Sequence, residues 1–277
     1  VKLAVVGHVE WVDFVVVPRL PAPGEIASAT MFHEGPAGGG AMAAYAMRSL
    51  AGGCAFYTAV GDDLRAQRSV TGLSDAGLDL RASLRSGRAQ RRALTWLTGD
   101  GERTITVLGP PLEPSGDDEL PWDELAAFDA ALVVTGDAAA IRAARAARVL
   151  VATPRARAGL LEAGVRVDAL VGSAADPIDV IDEALLAAAR PRVVVETEGA
   201  RGGSWRAADG TTGRWQPEPP PRPPIDAFGC GDAFAAALTA GLAAGRSVAN
   251  ACSLAACAGA TVLAQRAPSV GDLSRCW

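Results

Sequence analysis

Short β-branched runs recur along this chain, separated by Ala-rich stretches of helical length, and this alternation limits the fold more than any other feature. Residues 3–6, 130–134, 149–152, 169–171 and 193–195 have the length and branching of buried parallel strands. Between them, residues 138–147, 155–163 and 178–189 read as helices. The alternation predicts an α/β fold, a doubly wound and mostly parallel sheet flanked by helices on both faces. Ligands of such sheets collect beyond the carboxyl ends of the strands, which is where Gly7, Thr197 and Gly229 fall. Residues 12–17, 27–34, 93–98 and 104–108 depart from the alternation: they are short, extended and turn-linked, with Gly99-Asp100-Gly101 an apt hairpin turn. They form either a small sheet of their own or an extension of the main one.

Asp226-Ala227-Phe228-Gly229-Cys230-Gly231-Asp232 runs directly into the helix-forming Ala233-Phe234-Ala235. Such a turn aims the N–H groups of a helix's first turn at one point, where the helix dipole also favours negative charge. A carboxylate at its last position can take a proton from an attacking hydroxyl. The layout suits phosphoryl transfer to an alcohol, with Asp232 as base and the N–H groups of Gly229, Cys230 and Gly231 holding the developing charge. A plain Gly-rich loop with Asp232 as a helix cap has the same sequence.

Composition removes several classes of function. With 277 residues the chain can bury a full core as one α/β domain. It is 49% apolar but only 5% aromatic, so the core is built from Ala, Val and Leu. Lys2 is the only lysine, and a net charge of −5 argues against a nucleic-acid partner. The most apolar stretches, 233–245 and 249–264, are shorter than the ~18–20 residues of a membrane span, and no signal peptide is read. Five cysteines with no Cys-x-x-Cys pair predict neither a disulfide framework nor a zinc site, and point to a reducing cytoplasm. Cys230 is a reactive thiol or small-residue filler. His8 and His33 have no metal-ligand partner at helical spacing and read as structural or peripheral. No Gly-x-Gly-x-x-Gly follows the first strand, which speaks against a nicotinamide enzyme.

Residues 226–232 resemble the C-terminal signature of the ribokinase-like (PfkB) carbohydrate kinases, commonly Asp-Thr-x-Gly-Ala-Gly-Asp. Further landmarks of that family follow in order: Gly7 and Asp13, Pro23-Gly24-Glu25, Gly38-Gly39-Gly40-Ala41, Val60-Gly61-Asp62-Asp63, Gly77-Leu78-Asp79, Gly101-Glu102-Arg103-Thr104-Ile105, and Thr197-Glu198-Gly199-Ala200-Arg201-Gly202. The resemblance runs from about residue 2 to about residue 272. It implies one ribokinase-like kinase domain over 1–277, with lid strands from about 12–34 and 93–108 covering the acceptor and serving as a homodimer contact. It also implies ATP and Mg2+ as cofactors, with a monovalent cation such as K+ near Asp226. Asp13, Gly38, Gly39 and Met42 would meet a sugar or nucleoside acceptor. Thr197, Gly199, Gly202 and Asn250 would meet the nucleotide, although Asn250 also suits an ordinary helix surface.

Three departures from the family pattern stand out. Gly7 to Asp13 is one residue longer than in ribokinase. Met42 stands where many sugar kinases have Asn, removing a polar contact. Ser173-Ala174-Ala175-Asp176 stands where the family has Asn-x-x-Glu, leaving Asp176 as a shorter ligand for metal-bound water. The expected activity is ATP-dependent phosphorylation of a sugar hydroxyl. Trp11 and Phe14 near Asp13 leave a nucleoside kinase open, and the altered positions leave open a non-catalytic binding protein on the same fold.

Overall fold

The computed structural model describes residues 1–99 and 103–277. Strands are β1 (Leu3–Val6), β2 (Glu10–Val17), β3 (Met31–Ala37), β4 (Ala55–Val60), β5 (Asp79–Leu84), β6 (Arg92–Thr98), β7 (Arg103–Leu108), β8 (Ala130–Val133), β9 (Val149–Ala152), β10 (Ala169–Ser173), β11 (Val193–Thr197), β12 (Gly203–Ala207) and β13 (Thr212–Trp215). Helices are α1 (Gly39–Ala51), α2 (Leu64–Asp75), α3 (Ala138–Ala144), α4 (Arg157–Ala163), α5 (Glu183–Ala189), α6 (Cys230–Ala243) and α7 (Val248–Leu263).

Among the described residues, nine strands form the main sheet in the order β13-β12-β11-β10-β9-β8-β1-β4-β5. All its pairings are parallel except those of β12 with β11 and β13. β1 lies between β8 and β4, so the strand order reverses beside it. Alternation along β1 splits the core: Leu3 and Val5 join α1, α6 and α7 on one face, while Ala4 and Val6 join α3 and α4 on the other. The α6–α7 pair packs through small residues, and a Cβ on Gly241 would stand 3.0 Å from the Ala251 Cβ.

The irregular segments do make a second sheet, ordered β3-β2-β6-β7. β2 pairs antiparallel with β3 and parallel with β6 in unbroken register, so side chains along β2 alternate cleanly between faces. β3 begins at Met31, four residues later than the pattern suggests, and runs to Ala37. Of the expected Gly99-Asp100-Gly101 turn, the last two residues lie outside the described ones.

Helix starts follow their caps. Asp137 accepts from Ala140 N at 2.7 Å, and Asp182 accepts from Leu185 N at 2.9 Å. The second cap delays α5 to Glu183, because Pro177–Asp179 form a separate 3-10 turn ahead of it. Residues 154–156 are likewise a 3-10 turn ahead of α4. No helix among the described residues is long and apolar enough to cross a membrane.

One expectation is overturned. Cys257 of α7 and Cys276 are joined by a disulfide, because the chain doubles back along α7 and brings residues 19 apart to a Cα–Cα distance of 5.7 Å. Spacing alone gave no sign of it, since the pair is made by the return of the chain and not by a local motif. Cys276→Ser should cost about 2–4 kcal/mol, the usual worth of closing a loop of this length. Chemical unfolding without reductant should show that loss, and excess dithiol should abolish the difference from wild type.

Candidate active site

Three backbone segments converge beyond the carboxyl end of β1, and each does so through residues that lack a side chain. A Cβ on Gly7 would lie 3.0 Å from the Gly40 Cα, and one on Gly40 would lie 2.5 Å from the His8 carbonyl oxygen. A Cβ on Gly39 would stand 3.0 Å from Asp232 Oδ1 and 3.5 Å from His8 Cε1. The start of α1 is thereby pressed against β1 and against the first turn of α6. Gly229, at φ 77°, turns the chain into α6 with no side-chain cap. The N–H groups of that first turn therefore keep their capacity for an anion. A Cβ on Gly231 would meet nothing within 4 Å, so the turn is open on that side.

Asp232 is half-buried in this first turn. Burial pushes its carboxyl up to about 6; Arg155 and Arg103 pull it down, and Asp179 adds to the rise. Glu10 of β2 is also raised, first by burial, against the pull of Arg91 and Arg155 and with a further push from Asp232. Its Oε1 lies 2.9 Å from Arg91 Nε, an ion pair whose N–H is not aligned for a hydrogen bond. His8 is held neutral, at about 3, by burial and by the nearby arginines Arg91 and Arg155. Its Nε2 accepts the Gly39 N–H at 3.2 Å and its Nδ1 meets Thr135 Oγ1 at 3.2 Å. His8 is thus structural, as its sequence context suggests, but it sits beside Asp232 and not at the periphery.

Asp13 and Glu10 are three residues apart on a regular strand and so face opposite ways. Val12 and Phe14 share the Glu10 face and enter the core, where Phe14 meets Phe228 of the α6 turn edge-on at 5.0 Å. Asp13 shares the other face with Trp11 and is bound by Arg92 Nη2 at 2.6 Å. The one extra residue between Gly7 and Asp13 carries this consequence. The carboxylate on the Asp232 side of the strand is Glu10, which the sequence reading passed over.

The other expected residues separate into groups. Gly38 (φ 88°) adjoins Glu10, and Gly39 adjoins Asp232. Met42 is fully buried beneath the turn, its Cε 2.5 Å from where a Gly229 Cβ would be, so it packs and faces no open space. Thr197 ends β11 beside Ser173, with Gly199 and Gly202 in the turn that follows. Asn250 lies elsewhere, in a cleft of about 410 Å³ with Arg246, Ser253, Arg275 and the Cys257–Cys276 bridge. Burial raises the Cys230 thiol, which donates to the Ala227 carbonyl at 3.1 Å, consistent with a filler and not a thiolate.

Asp226 is buried and raised by that burial, with Oδ1 taking the Phe228 N–H at 2.9 Å and Oδ2 the Ala267 N–H at 3.1 Å. Asp176 is similarly committed, to Ile178 N at 3.0 Å and Arg155 Nη2 at 3.0 Å. Among the described residues no group of three or more His, Cys, Asp or Glu side chains is placed to hold a metal ion.

A large, mostly parallel sheet with a small sheet beside it thus ends at an uncapped Gly-rich helix start that carries a raised carboxyl. The sequence profile of the pfkB family carbohydrate kinases matches residues 1–157 and 167–272, and the chain belongs to that family. Among solved structures it is similar to ribokinase from Thermotoga maritima, at 17% identity and TM-score 0.77 over 99% of this chain and 98% of that one. Arabidopsis thaliana ribokinase complexed with ribose and ATP matches at 18% identity and TM-score 0.72, over 99% and 98%. Adenosine kinase from Sinorhizobium meliloti matches at 19% identity and TM-score 0.76, over 99% and 97%. Among curated proteins none matches in sequence.

Proposed function

We propose that this chain transfers the γ-phosphoryl group of ATP to a hydroxyl of a sugar or sugar-like alcohol, with Asp232 as general base. The observation that carries the reading is a carboxyl raised to about 6 in the first turn of a helix with no side-chain cap. Asp232 takes the proton of the acceptor hydroxyl as its oxygen bonds to phosphorus. The bond from phosphorus to the β–γ bridging oxygen breaks, and ADP leaves with the electron pair. The N–H groups of Gly229, Cys230 and Gly231 hold the charge spread over the equatorial oxygens. Mg2+ bound to the phosphates would neutralise part of that charge.

Glu10 is the hydroxyl-gripping carboxylate in this reading: it is on the Asp232 side of β2, and a carboxylate can accept from two neighbouring hydroxyls. Gly38 and Gly39 let backbone approach the acceptor. Thr197, Gly199 and Gly202 lie at the strand end where the nucleotide would run. A K+ ion beside the turn would act through its shape, since Asp226 already takes two N–H groups. The exposed Phe32, Ile105 and Val107 of the small sheet suit a contact with a second copy. Phe14 is fully buried and Trp11 lies under the Arg68 guanidinium at 4.5 Å, so neither offers an open ring face to a nucleoside base. The sugar reading is preferred for that reason.

Asp232→Asn keeps the size of the side chain and removes the proton acceptor. With a sugar panel, kcat should fall by ~10²–10⁴-fold while ADP affinity holds; wild-type turnover would remove Asp232 from the mechanism. Glu10→Ala should weaken the acceptor by ~1.5–3 kcal/mol, the scale of charge-assisted hydrogen bonds. Asp13→Ala should instead lower the melting temperature by stranding Arg92, with acceptor KM little changed. The reverse pattern would place the acceptor on the Asp13 face.

A further inference from the structure

Four carboxylates, Asp232, Glu10, Asp176 and Asp179, surround Arg155 closely enough to act on its charge. Such a border repels a polyphosphate unless a cation stands within it. The only lysine, Lys2, is committed to the Phe128 ring, 5.5 Å from its centroid. Arg91 and Arg92 belong to the lid side, paired with Glu10 and Asp13. Arg155 differs from both in place and in partners.

It follows β9 at the carboxyl edge of the main sheet, in the turn Pro154–Ala156. Its Nη2 donates to Asp176 Oδ2 at 3.0 Å, and its Nε lies 3.3 Å from Asp179 Oδ1. Both contacts are on the Nε–Nη2 side of the guanidinium, toward the chain that leaves β10; the first is a hydrogen bond and the second an ion pair without one. Nη1 has no hydrogen-bond partner among the described residues, and the side chain is 34% exposed. Burial works against its charge, but the four carboxylates together outweigh that penalty and keep it protonated. A planar fork with spare donors matches phosphate oxygens, which a lone ammonium would meet only as a point charge. Ser173, standing where the family has Asn, offers no amide donor at this edge.

We propose that Arg155 binds the phosphoryl group being transferred. Asp176 and Asp179 hold the guanidinium by one edge, and the free Nη1 edge follows the phosphoryl from the nucleotide to the acceptor oxygen beside Asp232. The two acids of this segment thus orient an arginine, and do not themselves hold a metal. The inference rests on the kinase reading above.

The test compares ADP with a methylene-bridged ATP analogue by calorimetry, together with steady-state turnover, on the full chain. Arg155→Gln should cost the analogue about tenfold or more in affinity and leave ADP within about twofold, with kcat down about 10²-fold, the usual effect of losing one transition-state donor. Arg155→Lys should recover part of each. Equal losses for ADP and analogue, or wild-type kcat in Arg155→Gln, would overturn the proposal. If Arg155→Gln does not fold, Arg155→Lys carries the test, and an undiminished preference for the analogue overturns it. An Asp232→Asn enzyme that is inactive beside a fully active Arg155→Gln enzyme would leave the kinase reading intact and discard Arg155. A wild type inactive on every alcohol, with the analogue preference still lost in Arg155→Gln, would discard the acceptor reading and keep the phosphate contact.

Discussion

The site depends on three backbones approaching where side chains would forbid it. Gly7 ends the first strand, Gly39 and Gly40 start α1, and Gly229 starts α6; adding a Cβ at Gly40 or Gly229 would bring it to 2.5 Å from its neighbour. At such distances something must move, and at Gly40 the obstacle is backbone. The approach sets Asp232 against the α1 turn, and the pairing of β1 with β4 and β8 holds that turn at the reversal of the strand order. The Ala-rich packing of α6 on α7 serves the same end, since small residues let the two helices lie close and fix the axis along which the first turn of α6 points.

Electrostatics then decides what the carboxylate can do. An Asp in water is ionised at any neutral pH and is a poor proton acceptor for an alcohol. Burial brings Asp232 up to about 6, against the pull of Arg155 and Arg103 and with a further push from Asp179. Glu10, raised for the same first cause, lies within reach of both charges. Asp232, Glu10 and Arg155 thus lie close enough to act on one another's charge. Uncapped N–H groups and the Arg155 guanidinium are the positive groups of the proposed site, and Lys2, the only lysine, lies on the Phe128 ring.

Much of this was legible in the sequence. β-branched runs between Ala-rich stretches gave the parallel sheet, and the 226–232 turn gave the helix start that carries Asp232 in its first turn, because strand length and turn chemistry are local properties. What local pattern does not encode was missed. Glu10 escaped because the face a residue occupies depends on register, and the extra residue before Asp13 was noted without following it across the strand. Arg155 lies in an unremarkable Thr-Pro-Arg stretch and gains its place only when β9 and β10 pair. The Cys257–Cys276 bridge depends on the path of the returning chain. Met42 drew attention as a departure from a sugar-contacting Asn, yet its burial under Gly229 is a matter of packing that sequence comparison could not weigh.

The pH dependence of kcat/KM in the wild-type enzyme tests the central claim most directly, because it reports the ionisation of groups in the free enzyme. A base must be deprotonated to act, and Asp232, proposed for that role, is raised from an ordinary value of 3.8 to about 6 by burial against the pull of Arg155 and Arg103. Activity should therefore climb roughly tenfold per pH unit below about 6 and level off above it. A profile that stays flat down to pH values well below this, in an enzyme still folded there, would contradict an Asp232 tuned to receive the proton.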